Sequence, residues 1–135
     1  MHIFLIRIAA IFALVCLTGC LPYPAYRTLQ PASQLTVLDR HGQPIAGAEV
    51  SLITTTRPAN IPDQYQTMIS DAQGVAKFES KKEWRIEVLA IHGSQAFYWR
   101  WCVQKPDYAT YFGTGEFLSL ATVQLLEGQS TSCKN

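Results

Sequence analysis

The chain opens with an almost unbroken apolar run from Ile3 to Leu17, interrupted only by Arg7. A run of this length falls short of the roughly 20 apolar residues that span a bilayer, and it matches the apolar segment of a secretory signal. Beyond it the pattern changes to short β-prone stretches broken by turn residues, with no sustained helical period. Leu35-Thr36-Val37-Leu38 predicts a strand, ended by the breaker-rich turn at residues 39–44. Ala48-Glu49-Val50-Ser51-Leu52-Ile53 alternates as a second strand, and residues 57–63, with Pro58 and Pro62, predict a loop. Residues 65–70 and 75–78 predict two more strands around the turn Asp71-Ala72-Gln73-Gly74.

The clearest strand is expected over residues 84–91, where Trp84, Ile86, Val88 and Ala90 share one face. His92-Gly93-Ser94 then predicts a hairpin turn into residues 96–103. Extended, that segment sets Phe97, Trp99, Trp101 and Val103 on one face and Tyr98, Arg100 and Cys102 on the other. A polar loop at 104–108 and a final strand or two within 116–126 complete the chain, with Gly113-Thr114-Gly115 read as a bend. Short strands with frequent turns predict an all-β fold, a small antiparallel β-sandwich behind a cleaved helical signal peptide.

The apolar run ends in Leu17-Thr18-Gly19-Cys20, followed by Leu21-Pro22-Tyr23-Pro24. These residues resemble the lipobox of bacterial lipoproteins. The resemblance implies cleavage before Cys20, whose thiol carries the lipid, and the small Thr18 and Gly19 suit a peptidase cleft. Each buried acyl methylene contributes about 0.8 kcal/mol, so two or three chains hold far more firmly than one. The family pattern uses aspartate after the cysteine for inner-membrane retention, and Leu21 at that position implies the outer membrane, with either orientation open. The alternatives are a cleaved signal with an incidental cysteine, or an uncleaved anchor helix. Residues 1–19 are thus expected to be signal, 20–33 a lipidated cysteine with a proline-rich tether, and 34–135 the sandwich.

Eleven basic residues stand against ten acidic ones. Loss of the signal removes Arg7 and leaves the mature side chains formally neutral, a balance without the basic footprint of a nucleic-acid binder. Cys16 leaves with the signal and Cys20 takes the lipid, so Cys102 and Cys133 remain as an even pair where disulfides persist. Closing that loop stabilises by about 3.5 kcal/mol in the chain-entropy model. Two buried free thiols are the alternative. Neither cysteine has a second ligand at metal spacing.

A second resemblance covers roughly residues 34–91. Leu35-Thr36-Val37-Leu38-Asp39, then Gly42-Gln43-Pro44-Ile45-Ala46-Gly47-Ala48-Glu49-Val50, then Ser70-Asp71-Ala72-Gln73-Gly74-Val75-Ala76-Lys77-Phe78 looks like the start of a carboxypeptidase regulatory-like domain. Such domains are transthyretin-like or immunoglobulin-like sandwiches that serve as accessory modules, so the resemblance speaks to fold and little to function.

Motifs for chemistry are sparse. His41 and His92 both fall in expected turns, and the chain lacks a nucleophile elbow, a zinc helix pair and a phosphate loop. No catalytic residue, metal or cofactor is therefore expected. The aromatic segment is richer: Tyr98 and Arg100, together with Tyr108, Tyr111 and Phe112, form a candidate interaction surface. The expectation is a non-enzymatic module, held to the membrane through its lipid, that meets another envelope protein. The alternative is a small ligand-binding or hydrolase-inhibiting lipoprotein using the same aromatics.

Overall fold

Alternating β-branched and aromatic residues turn most of the chain after Cys20 into strands. The computed structural model describes residues 2–17, 21–57, 61–89, 95–115 and 120–134. The apolar run is helix α1 (His2–Leu17), and the strands are β1 (Leu21–Gln30), β2 (Ser33–Leu38), β3 (Glu49–Arg57), β4 (Gln64–Ile69), β5 (Val75–Phe78), β6 (Lys81–Leu89), β7 (Ala96–Gln104), β8 (Tyr111–Gly115) and β9 (Ala121–Gln124). Among the described residues no helix is long and apolar enough to cross a membrane. Thr18, Gly19 and Cys20, and the expected turn His92-Gly93-Ser94, lie outside the described residues.

Two sheets build a small β-sandwich. One runs β5-β2-β9 and the other β4-β3-β7-β8. The β2–β9 pair is parallel, from Leu35 opposite Ala121 to Leu38 opposite Gln124, while β2–β5, β3–β4, β3–β7 and β7–β8 are antiparallel. Register explains the core: Val50 faces Val103 and Leu52 faces Trp101, so two cross-strand apolar pairs form the inner face of the larger sheet. Leu35, Val37, Ala76, Phe78 and Val123 supply the opposing face, with Ile45, Ala48 and Leu125 closing the ends. The rings of Phe78 and Trp101 meet across the layers at a centroid distance of 5.3 Å. Full burial of each such side chain contributes about 1.5–3 kcal/mol.

The turns work as the sequence suggested. Asp71 Oδ1 accepts hydrogen bonds from the amides of Gln73 (3.0 Å) and Val75 (2.9 Å). Gly74 takes φ 74°, and a Cβ there would strike the Val37 carbonyl, so glycine is required twice over. Asp39 Oδ1 caps its turn in the same way, accepting from the amides of His41 and Gln43, both at 2.8 Å. The Gln43 amide foremost holds the Asp39 carboxyl below the usual carboxylate range.

Three expectations need correction. The segment read as a proline-rich tether is strand β1, paired with β6 in a two-stranded sheet. A two-stranded ribbon tolerates prolines such as Pro22 and Pro24 better than the middle of a sheet, because each of its strands keeps one open edge. The second expected strand does not end at Ile53 but continues to Arg57, because the whole of β3 finds a partner in β7. Gly113-Thr114-Gly115 is no bend but the end of β8, paired with Arg100 and its neighbours.

The chain divides into two units, Met1–Arg27 with Trp84–Gln95, and Thr28–Glu83 with Ala96–Asn135. The division therefore falls inside β1 and β6, and the second unit contains the sandwich. In the first unit the ribbon has two unlike faces. Tyr23, Arg27 and Glu87 form one, with Arg27 Nε and Nη2 donating to the two Glu87 carboxylate oxygens at 2.7 Å each and Tyr23 Oη donating at 3.0 Å. Pro22, Pro24, Tyr26, Trp84 and Ile86 form the other and are exposed. Trp84 and Ile86 do share a face, as their alternation requires, and it is the solvent side.

Candidate functional site

The outer face of the larger sheet carries the side chains singled out above. In β7 the two-face split holds: Trp101 and Val103 are core, with Trp99 packed against it, while Tyr98 and Arg100 project outward. Trp99 is fixed by its Nε1 donating to the Leu29 carbonyl at 2.9 Å. Phe97 is half-buried. Antiparallel register then fixes the neighbours on the outer side, since directly opposed residues share a face. Thr55 lies opposite Tyr98, Ile53 and Thr114 flank Arg100, and Ser51 and Phe112 flank Cys102.

Cys102 is bonded to Cys133, 31 residues on, with a Cα–Cα separation of 5.8 Å. The bridge brings the C-terminal tail over the sheet, where Ile53, Cys102 and Cys133 form a second buried cluster. Further bonds hold the tail: the Cys133 amide donates to Gln104 Oε1 at 3.0 Å, and the Thr131 amide to Thr110 Oγ1 at 2.7 Å. One end of the outer face is thus covered and the other left open.

The open end is a groove of about 640 Å³ lined by Thr55, Arg57, Phe97, Tyr98, Trp99, Arg100 and Thr114. Tyr98 is 58% exposed, and so is Phe112 on the neighbouring strand. Arg100 Nη2 donates to Asp63 Oδ2 at 2.6 Å, which ties β7 to the segment before β4. Arg57 has no ion pair among the described residues and leaves a guanidinium at the groove wall. Aromatic faces beside guanidinium donors suit stacking and hydrogen bonding rather than proton transfer. His41 sits in the exposed turn, and its Nε2 accepts from Arg40 Nε at 3.0 Å. Among the described residues no group of three or more potential metal ligands comes together.

Of the five residues expected to form the surface, the fold brings together Tyr98, Arg100 and Phe112. Tyr108 packs against the main core and its backbone bridges to Glu127. Tyr111 lies opposite Val103, on the core-facing side at the sheet edge, with its ring over Gly113; a Cβ at Gly113 would overlap that ring. Thr55, Arg57 and Thr114 were missed. The first two lie in Thr54-Thr55-Thr56-Arg57, which carries no apolar alternation, and they follow only from the pairing of β3 with β7. Thr114 required the β7–β8 register, which no local pattern supplies.

Comparison with protein-family models, with curated proteins and with solved structures returns no match.

Proposed function

We propose that this is a lipid-anchored, non-enzymatic module of the cell envelope that presents the open end of its larger sheet to another envelope protein. The observation that carries the reading is the outer face of β7 and β8, where Tyr98, Arg100 and Phe112 stand together on a sheet fixed by a disulfide. Aromatics and arginine dominate the energetics of protein interfaces, and a rigid sheet face loses little side-chain freedom on docking. The Leu17-Thr18-Gly19-Cys20 signal supplies the anchor, and Leu21 after the cysteine favours the outer membrane.

A second reading rests on the groove itself. Its volume lies in the range of small-molecule sites, and Arg57, without an ion pair among the described residues, favours an anionic ligand or an acidic sugar stacked on Tyr98. Both readings use Tyr98 and Arg100, and one experiment separates them. A photoreactive phenylalanine placed at Tyr98 or Phe112 in whole cells is expected to give one discrete cross-linked protein, while the same group at Lys77, exposed on β5, gives none. Equal, diffuse labelling from all three positions contradicts the interface. Absence of any protein adduct, with a ligand that protects Tyr98 from labelling, favours the small-molecule reading instead.

A further inference from the structure

The ribbon of the first unit is turned against the usual rule. Its charged side is hydrogen-bonded and closed: the Glu87 carboxylate, 5% accessible, takes both Arg27 donors and the Tyr23 hydroxyl. Its apolar side is open. Trp84 is 71% and Ile86 72% exposed, Tyr26 is 57% exposed, and the Tyr26 and Trp84 rings pack at a centroid distance of 5.2 Å. Two paired strands alone are marginal in water, so an aromatic face of this kind calls for a cover.

We propose that the face formed by Pro22, Pro24, Tyr26, Trp84 and Ile86 lies on the surface of the bilayer that holds Cys20. The proposal rests on the lipoprotein reading of that cysteine. Strand β1 begins at the next residue, Leu21, so a single peptide bond separates Cys20 from the element that carries the face. At about 3.3 Å per residue Tyr26 is at most about 20 Å of chain from the anchor, and the covalent tether keeps the face at the bilayer without any binding step. The chemistry agrees: tryptophan and tyrosine concentrate at the membrane interface, where an apolar ring body meets headgroups that bond its polar tip.

The full chain, purified from envelopes as the cell processes it, can be reconstituted into phosphatidylethanolamine–phosphatidylglycerol vesicles with or without bromine on the upper acyl chain. Bromine quenches tryptophan only at close range, and Trp84→Phe distinguishes Trp84 from Trp99 and Trp101 while keeping the face apolar. The expected result is quenching of the unmodified protein in brominated vesicles and loss of most of it in Trp84→Phe. Mass spectrometry of the same sample reports the lipid on Cys20 independently. Lipid on Cys20 without Trp84 quenching overturns the interface and leaves the anchor standing. Quenching in a chain that keeps α1 and an unmodified Cys20 overturns the anchor and supports the interface. A chain that neither carries lipid nor floats with vesicles overturns both. Trp84 shielded from iodide in detergent at concentrations where a dimer sediments, with no quenching in vesicles, assigns the face to a second copy instead.

Discussion

Trp101 and Tyr98 are three positions apart on one strand and have opposite duties. Trp101 is 3% exposed against Phe78 and the facing sheet, so Trp101→Ala is expected to cost about 3–5 kcal/mol, read as a large fall in melting temperature. Tyr98→Ala removes an exposed ring and should shift stability by no more than about 0.5 kcal/mol while weakening cross-linking from Phe112. A Tyr98→Ala protein that melts as early as Trp101→Ala would make that ring part of the core. Glu87 sets a pH dependence in the ribbon. Hydrogen bonding from Arg27 holds its carboxyl below the usual value of 4.5, against the opposing effect of burial. A carboxyl lowered in the folded state stabilises above its ordinary range, and that contribution is lost as pH falls through the lowered value. Hydrogen exchange over residues 21–27 and 84–87 should therefore be slow at neutral pH and accelerate in acid. In Glu87→Gln it should be faster at neutral pH and nearly flat across the same range.

At the scale of elements, legibility followed the source of the signal. Strand β5 was readable to the residue because the Asp71–Gly74 turn and the alternation of Ala76 and Phe78 are both local. The split of β7 was readable because the period of two in a strand sets Trp99, Trp101 and Val103 on one face and Tyr98, Arg100 and Cys102 on the other, although the large residues themselves run without interruption. The end of β3 was misread because Thr54-Thr55-Thr56-Arg57 has no apolar pattern, and its pairing with residues 96–99 is a long-range matter. Strand β1 was misread for the same reason: proline density argues for a tether, and only pairing with β6 makes it a strand. In the site, Tyr98 and Arg100 followed from alternation, whereas Tyr108 and Tyr111 were assigned by proximity in sequence and their faces are set by register. The disulfide joins β7 to the tail. Cys133→Ser should lower the melting temperature by on the order of 10 °C, given a few kcal/mol in a domain of this size. The same variant should loosen residues 126–134 in hydrogen exchange. An unchanged melt would mean that the Thr110, Gln104 and Leu126 contacts hold the tail alone.

At the scale of the whole molecule, the parts point to one economy of design. The sandwich supplies a rigid sheet, the tail covers one end of its outer face, and the aromatic end stays open. The ribbon carries an exposed apolar face on a strand that begins one residue after Cys20. The proposed function joins these parts through one residue, Cys20, as the point at which the protein is held at a membrane. The most direct test of that central claim is the mass of the mature protein extracted from growing cells. The account predicts a chain beginning at Cys20, heavier than its polypeptide by a diacylglyceryl group and an added acyl chain, and loss of that mass with retention of the precursor in Cys20→Ala. A chain that begins at Met1, or one that starts at Cys20 without lipid, would contradict it.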